Sequence, residues 1–136
     1  MVDFAYGIKR KIKQLEEREA LEEGRVFRAD TYAEQNEADV EDILGRSFYI
    51  ELVNLCYGLS SSDKLLNEKA ADVPERVVKE VEDHMRLLPK YDEFNHYTPS
   101  AYLLANGDEI RDKLTGIDDA LNRFERLFTD LNKLLL

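Results

Sequence analysis

Carboxylate pairs spaced three residues apart recur in this chain: Glu16/Glu19, Glu19/Glu22, Glu34/Glu37 and Asp39/Asp42. On a helix that spacing places both members of a pair on one face. Two such pairs brought face to face can hold Mg²⁺ through oxygen ligands. The chain also carries 29 Asp and Glu among 136 residues, a density at which such pairs arise by chance. As exposed helix faces they then do no more than keep the chain in solution.

The pairs Glu19/Glu22 and Asp39/Asp42 loosely resemble the ExxE…ExxD arrangement of all-α nucleoside-triphosphate pyrophosphohydrolases of the MazG type, over roughly residues 16–57. The resemblance implies an oligomeric, Mg²⁺-dependent nucleotide pyrophosphohydrolase with Glu19, Glu22, Asp39 and Asp42 as metal ligands. Two departures stand against it. The second pair opens with Asp39 rather than Glu, and the first lies where its helix has lost its apolar stripe. A metal site needs packed support behind its ligands.

Other reactive side chains lack a working context. His84 and His96 are the only histidines, and their spacing cannot put two ligands on one helix face. The stretch around His84, EDHMRLLP, distantly resembles the phospho-acceptor box of sensor histidine kinases, but no glycine-rich nucleotide-binding sequence accompanies it. Cys56 sits between Leu55 and Tyr57 with no basic neighbour to lower its pKa, which reads as core packing. Ser60, Ser61 and Ser62 lie in no GxSxG frame, and no P-loop or GxGxxG is present. Neither a catalytic residue nor a cofactor is indicated.

Two groups suit contacts with a partner. Lys9, Arg10, Lys11 and Lys13 form a basic cluster in an otherwise acidic chain. It can meet phosphates, an anionic membrane surface or the acidic face of another subunit, or simply be solvated. Tyr91, Phe94 and Tyr97 flank His96 in an aromatic-rich loop. Such rings are common at interface hot spots, and they serve equally to pin a loop to its own bundle.

Helical periodicity dominates the elements that carry these residues. A first helix is predicted from Asp3 to Glu23, with Ala5, Ile8, Ile12 and Leu15 in one stripe that stops at Leu15. A connector follows, then a helix from about Asn36 to Cys56 or Tyr57, ending at Gly58 and apolar on most faces except Ser47, Glu51 and Asn54. That polar stripe is read as solvent-facing. A serine-rich turn and short helix come next, and then a helix opened by an Asp72/Glu75 capping box with Pro74 in its first turn. Pro89 stops this helix. Thr98 and Pro99 open another short helix, closed by Gly107.

The last pattern is the most regular. Ile110, Leu114, Ile117, Leu121, Phe124, Phe128, Leu131 and Leu135 alternate spacings of four and three, a heptad seam over about 108–135. Ala120, Leu127 and Leu134 widen it, which suits a globular bundle. Gly116 marks a place where the helix can break, with Thr115 and Asp118 available to recap it.

Composition closes off several classes. One domain over 1–136 fits the length, and no repeat of solenoid period is visible. The single cysteine forbids an internal disulfide and favours a reducing, cytoplasmic setting. No run approaches the ~20 apolar residues of a membrane span. The net charge of −10 repels nucleic-acid backbones. Residues 1–28 hold seven Lys/Arg against six Asp/Glu, so the acidic excess lies beyond them.

The sequence therefore predicts an all-α irregular bundle of four to six helices. It reads as a non-enzymatic protein-protein interaction or assembly module, possibly self-associating, with Lys9, Arg10, Lys13, Tyr91, Phe94 and Tyr97 as contact residues. The alternatives are the MazG-like hydrolase and a nucleic-acid-associated protein using the basic first helix.

Overall fold

In a computed structural model, residues 10–11, 27–69 and 73–135 are described. The predicted helix over Asp3–Glu23 falls outside them, apart from Arg10 and Lys11, which are helical and exposed. Among the described residues the protein is all-α, with seven helices and no strand. They are α1 (Ala29–Ala33), α2 (Val40–Leu44), α3 (Arg46–Cys56), α4 (Val77–Arg86), α5 (Tyr97–Ala105), α6 (Gly107–Lys113) and α7 (Ile117–Lys133).

The core forms around α3, whose Phe48, Tyr49, Ile50, Leu52 and Val53 are all buried. Val77, Val78, Val81 and Met85 from α4, Ile110 from α6, and Leu59 and Leu65 from the segment after α3 complete it. Helix α3 packs against α2, α4 and α5, while α7 lies across α1 and α2. The apolar density of SFYIELV is what makes this helix central.

Several elements are shorter than periodicity predicts, and each break has a local cause. The long helix expected from Asn36 is cut at Gly45, which takes φ 90 between α2 and α3. Helix α2 begins at Val40 behind Asp39, which forms a capping box with Asp42. The heptad helix is cut at Gly116 (φ 81), as its glycine suggests, but Thr115 does not recap it. Glu51 takes that residue instead, accepting from the Thr115 N–H at 3.0 Å and from its hydroxyl at 3.1 Å. The connector contains α1, closed by Glu34 in the left-handed region.

The segment after Ser60 corrects a second expectation. It forms only a 3-10 turn, Ser61–Asp63, and Lys64–Lys69 is not helical. Its carbonyls are taken by side chains instead of by amides one turn on. Asn54 exchanges two hydrogen bonds with the Leu65 backbone, at 3.0 and 2.9 Å. Arg46 donates to the carbonyls of Leu66 (2.9 Å) and Asn67 (2.6 Å). Glu51 and Asn54 are therefore not a bare solvent stripe, for each is half-buried and anchors a loop on α3.

Helix α4 starts at Val77, not at Pro74, and Asp72 lies outside the described residues. Its cap comes from another helix: the Val77 N–H donates to Asp42 Oδ1 at 2.9 Å. Glu75 is turned away, accepting from the Asn36 N–H at 2.6 Å.

One core polar atom is left over. Tyr49 is 1% exposed and its hydroxyl has no hydrogen-bond partner among the described residues. Burial drives its phenol pKa well up. An unpaired buried hydroxyl costs about 1–3 kcal/mol, so Tyr49→Phe is expected to raise the unfolding free energy by about 1 kcal/mol. Urea denaturation checks this, and a loss of stability would reveal a partner for the hydroxyl.

Candidate functional site

Asp39 caps α2 and Asp42 lies within it, and both carboxylates are engaged within the chain. Asp42 is 2% exposed and accepts from the Asp39 and Val77 amides at 2.8 and 2.9 Å. Burial raises its pKa, opposed by those hydrogen bonds. Asp39 is paired with Arg76 at 2.8 Å. The companion residues Glu19 and Glu22 lie outside the described residues, and among those described no cluster of three His, Cys, Asp or Glu is arranged to hold a metal.

The histidines and the cysteine are held apart. His84 Nε2 lies 2.6 Å from the Asp63 carbonyl, and His96 Nδ1 lies 3.2 Å from Glu41. Burial pushes the Cys56 thiol pKa up, the opposite of what a nucleophile requires. A cleft of about 470 Å³ runs beside Arg46, Leu66, Pro74, Glu80 and His84. Its two strongest polar groups face each other: Arg46 and Glu80 form a bidentate pair at 2.8 and 2.6 Å. That pair is spent on the fold.

The aromatic loop divides. Tyr91 donates to Asp63 at 2.7 Å, and Lys90 reaches the same carboxylate at 2.7 Å, holding its pKa low. Phe94 is half-buried and tilted against Tyr57, whose hydroxyl bonds the Asn95 backbone. These two rings fasten the loop. Tyr97 alone of the three stands out, 70% exposed and packed on His96. In the basic cluster, Arg10 is exposed, while Lys9 and Lys13 fall outside the described residues.

Among the described residues, α7 carries a row of exposed apolar side chains. Its inner face turns Ala120, Arg123, Leu127 and Asp130 toward α1 and α2. Arg123 donates to the carbonyls of Ile43 (2.6 Å) and Leu44 (2.8 Å), ending α2. Asp130 accepts from the Tyr32 hydroxyl at 2.7 Å. That hydrogen bond and burial push the Tyr32 pKa up to about 12, burial having the larger effect.

The heptad seam is thus only half used. Leu121 (59%), Phe128 (56%) and Leu131 (37%) remain exposed along the outer side, and Leu135 continues the row. Phe124, half-buried, stacks on Phe128 with centroids 6.1 Å apart. Asp118 and Glu125, both exposed, border the row at helical spacing. Leu121 to Leu131 spans about 15 Å at 1.5 Å per residue. These side chains share one side of the helix and are not scattered over it. The regular seam announced a strip on this helix, but which half the bundle would bury depends on Arg123 and Asp130, which no periodicity reveals.

Fold and site together define, among the described residues, an all-α protein with an apolar row on α7 bordered by acids and no metal-holding cluster of His, Cys, Asp or Glu. No family model, curated protein or solved structure matches the chain. No helix among the described residues is long and apolar enough to cross a membrane.

Proposed function

We propose that this protein is a non-enzymatic helical interaction module that docks a protein partner on the outer side of α7. The observation that carries the reading is the exposed row Leu121, Phe128 and Leu131 on a helix that Arg123 and Asp130 fasten to the rest of the chain by another side. Apolar side chains in register over about three turns suit a partner helix laid alongside, reading anchors at i, i+3/4 and i+7. Tyr97 and Leu104, exposed on α5, offer a second, smaller contact. The lone Cys56 and the net charge of −10 fit a cytoplasmic setting and a basic protein partner.

A photo-crosslinking residue at position 128, with exposed Arg111 as control position, tests this in the protein's own cells. The expected result is an adduct of one discrete size at position 128, absent at 111 and lost with Leu121→Asp. An adduct of twice the chain mass identifies self-assembly. Absence of any intermolecular adduct at 128 overturns the reading.

A further inference from the structure

The charges of α7 are not balanced. Its three cations are all occupied. Arg123 serves the Ile43 and Leu44 carbonyls, Arg126 lies 3.6 Å from Glu34 and over the Tyr32 ring, and Lys133 lies 3.7 Å from Asp130. Asp118, Asp119 and Glu125 are exposed, and among the described residues none of them has an ion-pair partner.

Two of these free acids stand beside the apolar row. Asp118 and Glu125 are seven residues apart, which puts them on one side of the helix. The other border of the row is Ala120 and Leu127, buried and half-buried, on the side that meets α1 and α2. A molecule seated on the row therefore meets free charge along one flank only, and that charge is negative.

A second copy does not answer it. Two α7 helices meeting antiparallel, with Phe124 and Phe128 at the centre, bring Glu125 to the same residue of the other molecule. Meeting parallel, they turn Asp118 and Glu125 toward the uncharged border of Ala120 and Leu127. Neither arrangement supplies a cation, and each molecule carries a net charge of −10. Like charges brought together count against a partner.

The acids also set a direction. Both lie in the N-terminal half of α7, and farther along the same flank Thr129 and Asn132 are uncharged. The partner's cations are needed over residues 118–125. A helix carries cations most favourably in its last turns, beside the negative end of its own dipole. A partner helix meets both conditions by running antiparallel to α7.

We propose that the partner docked on α7 is a helix of a different protein, antiparallel to α7, with an apolar stripe on Leu121, Phe128 and Leu131 and with Lys or Arg along one flank of its C-terminal half, over Asp118 and Glu125. The proposal rests on the reading of α7 as a docking face.

Photo-crosslinking residues at positions 121 and 131 of the full chain, in the protein's own cells, test the direction. Mass spectrometry of the digested adducts is expected to place the 121 crosslink on the order of ten residues nearer the C-terminus of the partner segment than the 131 crosslink. Lys or Arg should stand at that C-terminal end. Charge reversal tests the flank. With the crosslinking residue at 128, Asp118→Lys with Glu125→Lys should lower the adduct yield at least about fivefold. Asp92→Lys with Glu93→Lys makes the same change in net charge on the exposed loop before α5, and should alter the yield by less than about twofold. Hydrogen exchange at Ile50–Val53 that matches the wild type shows that the fold survives in both variants, and the direction measurement leaves the flank native. The reverse order of the two crosslinks, a mapped segment without cations over residues 118–125, or a yield indifferent to the reversal at 118 and 125 overturns the proposal. So does an adduct made of two copies of this chain. Each of these outcomes still leaves a partner on α7 and spares the docking reading, which fails separately when no intermolecular adduct forms at 128.

Discussion

Glu80→Ala is expected to lower the unfolding free energy by about 3–5 kcal/mol, the loss typical when one member of a buried ion pair is removed. Glu80 and Arg46 have side chains only 8% and 17% exposed, and both guanidinium bonds to the carboxylate are short. Without Glu80, Arg46 keeps only the carbonyls of Leu66 and Asn67 to balance a charge held away from water. The effect reaches beyond the pair, since those carbonyls hold the non-helical stretch Lys64–Lys69 against α3. A domain of this kind has roughly 5–15 kcal/mol in total, so the variant should unfold at a much lower urea concentration. Replacing both residues by apolar ones, Arg46→Met with Glu80→Leu, is expected to recover most of the loss, because the orphaned charge goes too. A loss under about 1 kcal/mol from Glu80→Ala would mean that water screens the pair as at an exposed surface.

Gly45→Ala is expected to cost about 3 kcal/mol or more, from two sources that act together. At φ 90 and ψ 140 the backbone lies where only glycine is comfortable, and side chains there cost on the order of 1–3 kcal/mol. A Cβ at this position would also collide with the Arg123 guanidinium. That group cannot move aside freely, because it donates to the Ile43 and Leu44 carbonyls at 2.6 and 2.8 Å. Displacing it loses charge-assisted hydrogen bonds worth about 1.5–3 kcal/mol each at most. Thermal unfolding of Gly45→Ala beside Arg123→Ala and the double variant separates the terms. If the Arg123 clip carries the collision, the two losses add to more than the double variant shows. Strict additivity would leave the backbone strain acting alone.

Much of the architecture is readable from periodicity, and the exceptions share a cause. The central helix through SFYIELV, the apolar face of Val77, Val78, Val81 and Met85, and the break at Gly116 all follow from spacing or from a glycine inside a helical pattern. What spacing does not contain is a partner far along the chain. The start of α4 is set by Asp42, 35 residues earlier. The Lys64–Lys69 stretch stays out of a helix because Arg46 and Asn54 claim its carbonyls. Gly45 interrupting VEDILGRSFYI was the one local hint of a break that a reading of apolar content alone passes over.

The candidate contact surface follows the same division. A run of aromatic residues near His96 is plain in the sequence, but Asp63 and Tyr57 decide that Tyr91 and Phe94 turn inward while Tyr97 does not. The heptad seam of α7 is equally plain, and its division into a used and an exposed half is not. A polar residue one turn from an apolar stripe, such as Arg123 or Asp130, is ordinarily counted as surface. Here both mark the side that faces the bundle.

The two clips that hold α7 join residues very distant in sequence, Arg123 to Ile43 across 80 positions and Tyr32 to Asp130 across 98. Most helical proteins fold fast because their contacts are local. In this one, winding a helical turn takes no more than about a microsecond, but the first and last helices α1 and α7 must still find each other across nearly the whole described chain. The slow event is then a diffusive search by a long tether, not the winding of any helix. Its pace should follow solvent viscosity and chain stiffness between Ala33 and Ile117, and be indifferent to changes that merely favour helix.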